Sequence, residues 1–138
     1  MIIQNAYIYT PQHRFVRGDL CIRGGRIVPP CAPEPGETVL DAAGLYALPG
    51  LVDIHFHGAV GHDFCDADEA GLQAIADFEA SNGVLAICPA TMTFREEILS
   101  GLMDTGNAPQ TERGAHTVAI NHTGPYLSPT KTSAPDPP

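Results

Sequence analysis

The stretch LVDIHFHG, residues 51–58, decides the fold. Its alternation puts Asp53, His55 and His57 on one face of an extended strand and Val52, Ile54 and Phe56 on the other. Two imidazoles on one face are not an ordinary core pattern. In a barrel of parallel strands the apolar face meets the surrounding helices. The histidines then enter the barrel at the C-terminal end of the strand, where barrel active sites lie. Alternate strand residues stand about 6.6 Å apart. Metal–nitrogen bonds of about 2.0–2.1 Å let two such rings converge on one ion. The spacing therefore predicts His55 and His57 as metal ligands and Asp53 as an acceptor that orients one ring. Gly58 gives the following loop room to turn. His62 and Asp63, in GAVGHDF, are candidates to line the site, set against a plain role as solvated loop residues. His13 and His116 are expected at the surface.

Downstream of this strand the rhythm alternates. Residues 67–83 read as a helix, with Leu72, Ile75, Ala76 and Glu79 at helical spacing. Asp66 or Asp68 caps its start and Gly83 suits the position just past its end. VLAICPAT, residues 84–91, is nearly all apolar, as in a strand covered on both faces. Residues 94–106 form a second helix, capped by Thr93, with Glu96 and Glu97 placed well in its first turn. HTVAINHTGP, residues 116–125, is a third strand. The β-α-β-α-β order predicts parallel strands with right-handed crossovers. Residues 128–138 are Pro-rich with nothing apolar to pack and are expected to be disordered.

Upstream, residues 2–10 and 19–28 read as strands, and Gly24-Gly25 is a two-residue hairpin signal. VPPCAPEPGE, residues 28–37, is an exposed loop, and residues 38–50 are strand-like up to Pro49-Gly50. The first third is expected to form a small antiparallel sheet.

The chain has 138 residues, far fewer than the roughly 250 of a complete (β/α)₈ barrel. Sixteen acidic and seven basic residues give a net charge of −9. Such a surface does not attract phosphate backbones or anionic lipid, which sets nucleic acid and membrane aside as partners. Cys21, Cys31, Cys65 and Cys88 show no zinc-ribbon spacing. No signal peptide and no apolar run near the ~18 residues of a membrane span are evident. The expectation is a cytoplasmic protein with reduced thiols, each cysteine a small buried hydrophobe.

DAAGLYALPGLVDIHFHG, residues 41–58, resembles the amidohydrolase superfamily signature D-x-x-G-x-x-x-x-P-G-x-x-D-x-H-x-H. GHDF (61–64), GVLAICPATMT (83–93) and INHTGPYLSP (120–129) further resemble the N-acetylglucosamine-6-phosphate deacetylase family. The resemblance implies an α/β fold: a (β/α)₈ TIM-type barrel beside a small β-sandwich built from both chain ends. It implies hydrolysis of the acetamide of N-acetylglucosamine 6-phosphate, an amino-sugar phosphate, by a homo-oligomeric enzyme. A divalent metal ion, zinc or iron, would activate water and polarise the carbonyl. A carboxylate would move the proton.

The likeness covers only the N-terminal part of such an enzyme. The expected division is residues 1–48 as a sandwich portion, 49–127 as about three βα units of the barrel, and 128–138 as a tail. Where the family has Glu-Gly-Pro-Phe after the third strand, with Glu a metal ligand, this chain has Thr123-Gly124-Pro125-Tyr126. A hydroxyl is a poor substitute for a carboxylate on a hard dication. His122 does not replace it, because adjacent strand residues point to opposite faces. Of the family's sugar-contacting Lys-Lys-Gly-Ala-His-type run, Ala134 in Lys131-Thr132-Ser133-Ala134-Pro135 is the surviving match, and so the substrate-binding candidate. The family's later metal histidines and its catalytic Asp would lie beyond residue 138, so no catalytic residue is assigned. The isolated chain is expected to be inactive, to bind metal weakly, and to be marginal, oligomeric or aggregation-prone through open strand edges. Two other functions fit the H-x-H strand: a cyclic amidohydrolase of dihydroorotase or hydantoinase type, and a non-catalytic metal-binding or interaction module.

Overall fold

The computed structural model describes residues 1–66, 68–106 and 113–124. Two units divide at Pro49 and Gly50. In the first, β1 (Ile2–Tyr9), β2 (Phe15–Arg23), β3 (Arg26–Val28), β4 (Val39–Asp41) and β5 (Tyr46–Ala47) form one sheet. Its order is β3-β2-β1-β4, with β5 also on β1. Gly24 and Gly25 turn the β2–β3 hairpin at φ 56° and 70°. Two successive positive φ values match a hairpin's twist, and glycine adopts them without strain.

The sheet is not purely antiparallel, as the sequence suggested. β4 and β5 join β1 in parallel, Ile2 opposite Val39 and Tyr7 opposite Tyr46. The Pro-rich segment after β3 cannot donate the backbone bonds of a further hairpin. It instead returns the chain to the far edge, where Ile2 N donates to Thr38 O at 2.8 Å. Ile2, Ala6, Cys21 and Ala42 are buried. Cys21 is the one buried cysteine; Cys31, Cys65 and Cys88 are half-buried, so the expected core role holds for Cys21 alone.

Glu37 gathers three donors in this unit. Its carboxylate accepts from Arg23 at 3.0 Å, from the N-terminal ammonium at 2.9 Å and from Glu34 N at 3.0 Å. The Arg23 bond first, then the Glu34 amide, lowers its pKa from 4.5 to about 2. A depressed folded-state pKa gives stability that is present above pH 4.5 and lost as pH falls toward 2. Glu37→Gln should therefore flatten the acid limb of unfolding in this window. An unchanged limb in pH-dependent denaturation would show that the contact adds nothing.

The second unit holds three parallel strands in the order β10-β9-β6, namely His116–Thr117, Val84–Ile87 and Leu51–Asp53. Between β6 and β9 run a short hairpin, β7 (Gly58–Ala59) with β8 (His62–Asp63), and helix α1 (Glu69–Ser81). Helix α2 (Glu96–Gly106) precedes β10. This is a mixed α/β arrangement. The Asp68 side chain caps α1 by accepting from Gly71 N at 2.9 Å, and Gly83 follows its end at φ 84°. Ile75 and Glu79 are buried on its inner face, with Gly71. Helix α2 starts later than expected, and Thr93 does not cap it. The carbonyl of Arg95 instead accepts from Ile98 N and Leu99 N at 3.1 Å each. Leu99 and Leu102 are buried.

The central strand departs from expectation. Ile87 is buried but Leu85 is 52% exposed, so β9 is not covered on both faces. Val52, Ile54 and Val118 are exposed as well. A parallel sheet needs a layer on each face, and the described residues supply two helices.

The chain enters β10 through Gly114, at φ 90°. Ala115 N then donates to Ala76 O at 2.8 Å. A Cβ at Gly114 would stand 2.9 Å from the Ala76 carbonyl carbon. Gly114→Ala combines left-handed strain with a clash against helix backbone and should cost about 2–4 kcal/mol. Thermal unfolding measures this; a loss under about 0.5 kcal/mol, the size of a neutral surface change, would contradict it.

Candidate metal centre

Strand β6 ends at Asp53, so His55 and His57 follow the strand rather than lie within it. Asp53 causes the break. Its Oδ1 accepts from His55 N at 3.0 Å and takes that N–H away from the neighbouring strand. Cys88 N donates to Asp53 O at 2.7 Å, but Ala90 N reaches Phe56 O, three residues on rather than two. Pro89 between them has no N–H to offer. The histidines therefore project from a locally bulged segment, a device that re-aims side chains.

The two rings remain together. Their centroids are 5.3 Å apart and their planes cross at 88°. His55 is exposed and His57 half-buried. Nδ1 of His57 is buried without a hydrogen-bond partner. The 56–57 turn is fixed from the other side, where Phe64 N donates to His57 O at 2.7 Å.

Asn121 completes the geometry, and the sequence reading overlooked it. Its backbone pairs with the segment after β9: Asn121 N donates to Pro89 O at 2.8 Å, and Thr91 N donates to Asn121 O at 3.0 Å. Its amide nitrogen lies 3.2 Å from Ile54 O and 2.9 Å from His55 Nδ1. The ring-orienting role expected of Asp53 thus falls to Asn121. The available signal was an amide side chain just before His122-Thr123-Gly124, where the third strand should end beside the histidines.

The other candidates stand elsewhere. His62 lies in the β7–β8 hairpin, turned by Val60 and Gly61 at φ 48° and 85°, and its ring covers Gly71. Asp63 N donates to Asp66 Oδ2 at 3.1 Å, and Asp63 Oδ1 accepts from Cys65 N at 2.7 Å. These bonds hold the single 3-10 turn at Phe64–Asp66 and do not reach His55 or His57. Thr123 N donates to Thr91 Oγ1 at 3.1 Å. His122, His116 and His13 are exposed, and the His13 ring meets the Tyr9 hydroxyl at 2.7 Å. Burial, then the charge of Asp53, raises the pKa of Glu79 on α1. Ala134, Pro125, Tyr126 and the expected 128–138 tail lie outside the described residues.

Among the described residues no three His, Cys, Asp or Glu side chains gather around a common point. Catalytic zinc sites use three protein ligands and a water. The orphaned Nδ1 of His57 is the atom that calls for a partner, whereas His55 Nδ1 already has one. These residues therefore do not make a metal centre by themselves.

No family model matches the chain. It is similar to N-acetylglucosamine-6-phosphate deacetylases over most of its length. The Bos taurus enzyme is 28% identical over 130 residues, which cover 86% of this chain and 31% of the relative. A dihydroorotase of Desulforapulum autotrophicum is 32% identical over 96 residues, covering 65% of this chain and 22% of the relative. The crystal structure of N-acetylglucosamine-6-phosphate deacetylase from Pasteurella multocida superposes with a TM-score of 0.83 at 23% identity, over 98% of this chain and 37% of that one. A mutant of the Mycobacterium smegmatis deacetylase, in complex with N-acetyl-D-glucosamine-6-phosphate, superposes with a TM-score of 0.67 at 25% identity, over 93% and 33%. The chain spans about a third of the length of the deacetylases it matches.

Proposed function

We propose that this chain holds the first βα units of a metal-dependent amide hydrolase of the N-acetylglucosamine-6-phosphate deacetylase type. Residues 1–48 then belong to its β-sandwich and 49–127 to its TIM-type barrel. His55 and His57 are two ligands of its divalent metal, zinc or iron. Ala134 belongs to the substrate contact. The whole enzyme is a cytoplasmic homo-oligomer acting on an amino-sugar phosphate. The observation that carries this is the pair of near-perpendicular imidazoles, 5.3 Å apart, following the first strand of a parallel sheet. The likeness to deacetylases over most of the chain supports it.

Hydrolysis of an acetamide needs an activated water and a proton for the departing amine. Asp53, the carboxylate nearest in sequence to the imidazoles, holds a backbone amide instead. The 138-residue polypeptide is therefore expected to release no acetate alone. The dihydroorotase match supports a second reading, a cyclic amidohydrolase, over a smaller share of the chain.

The product of the whole open reading frame containing these residues separates the two. Acetate release from N-acetylglucosamine 6-phosphate, abolished by His55→Ala and His57→Ala, is the expected result. Turnover of dihydroorotate without acetate release would overturn it.

A further inference from the structure

We propose that Asn121 holds His55 in the tautomer protonated on Nε2, and that this keeps His55 from serving as a metal ligand in the chain as folded. The inference deepens the metal-site reading and rests on it in its second half only.

The chemistry of one amide fixes the proton. Asn121 Nδ2 lies within hydrogen-bond distance of both Ile54 O and His55 Nδ1, at 3.2 and 2.9 Å. An amide nitrogen carries two N–H donors and accepts nothing. Nδ1 of His55 must therefore be the acceptor and carry no proton. A neutral imidazole then has its proton on Nε2, the one nitrogen left to face an ion. Turning the amide over would place its oxygen against the Ile54 carbonyl oxygen, two acceptors with no hydrogen between them. The Ile54 carbonyl thereby locks the amide, and the amide locks the ring.

Metal-ligating histidines show the opposite arrangement. Their second nitrogen donates to a carboxylate or carbonyl, which frees the first to bind. Asn121 is a positioning residue with the wrong polarity for that task. Its place in the fold rests on its backbone bonds to Pro89 and Thr91, which a side-chain change leaves intact.

Asn121→Asp keeps the size and removes both donors; its carboxylate gives up the contact with Ile54 O and can accept from Nδ1–H of His55. It should move the His55 proton to Nδ1 and raise zinc affinity roughly 10–100-fold. Asn121→Ala should leave His55 a mixture of tautomers. Ring-nitrogen NMR of the metal-free chain, at a pH where the ring is neutral, reads the tautomer directly. Zinc titration reads the affinity separately.

An Nδ1 unprotonated throughout in the wild type, partly protonated in Asn121→Ala and protonated in Asn121→Asp, is the expected result. A protonated Nδ1 in the wild type, or one tautomer in all three proteins, would overturn the assignment whether or not metal binds. An inverted tautomer in Asn121→Asp with unchanged zinc affinity would overturn the claim that the tautomer limits binding. If His55→Ala, introduced into Asn121→Asp, also left zinc affinity unchanged, the metal-site reading itself would fail.

Discussion

Thr123→Glu should raise the zinc affinity of this chain by roughly tenfold or more, about 1.4 kcal/mol or greater. Position 123 lies two residues beyond Asn121, whose side chain reaches His55. An extended run from 121 to 123 would put a side chain at 123 on that same side. The wild-type Thr123 anchors its segment through its backbone, with N donating to Thr91 Oγ1 at 3.1 Å. The substitution keeps this bond. What it adds is an anionic oxygen ligand to a site whose unpartnered imidazole nitrogen is Nδ1 of His57, a donor set that suits zinc or iron. Competition against a fluorescent zinc chelator measures the gain. Thr123→Gln is the control, with similar size and no charge. Equal affinity in the Glu and Gln variants would show that the missing carboxylate is not what leaves the site incomplete.

The second large effect is on stability. Ile75 is 2% exposed on the inner face of α1. Truncating such a residue to alanine costs about 2–5 kcal/mol, through lost transfer energy and the cavity left behind. Whole domains hold only about 5–15 kcal/mol. This unit starts from a thin core, since Leu51, Val52, Ile54, Leu85 and Val118 are each more than half exposed. Ile75→Ala should therefore remove most of the stability of the unit that begins at Gly50. Hydrogen exchange of the β9 amides would report it as near-complete loss of protection. Ile27→Ala, at a position 71% exposed in the other unit, should change little. Persistent β9 protection in Ile75→Ala would contradict the packing described for α1.

Local rules accounted for much of the fold. Gly24-Gly25 named its hairpin, and Asp68 and Gly83 bracketed α1. The alternation after Pro49 foretold parallel strands. Where the reading failed, a distant partner or a side chain overrode the local pattern. The parallel return of β4 onto β1 depends on residues almost 40 positions apart, as Ile2 pairs with Val39. Alternation predicted a strand through His57, but the Asp53 carboxylate captured the His55 amide and ended it. Leu85 belongs to an apolar run that reads as fully covered, yet covering depends on layers that strand composition does not reveal.

The site was legible in the same measure. The imidazole pair followed from spacing and context. Asn121 did not, because its contact with His55 joins positions 66 residues apart. No spacing rule links an amide in one strand to a ring in another. That position 123 carries a hydroxyl and not a carboxylate was visible in the sequence. The structure adds that no other described side chain takes its place.

The central claim is that His55 and His57 stand at two ligand positions of an unfinished metal site, with His55 held in a tautomer that does not bind. It is tested most directly by zinc content after equilibrium dialysis of the 138-residue chain, with and without both histidines. The account predicts less than one zinc per chain, weakly held, and none retained in the His55→Ala, His57→Ala double variant. One tightly held ion per wild-type chain, or retention unchanged in the double variant, would contradict it.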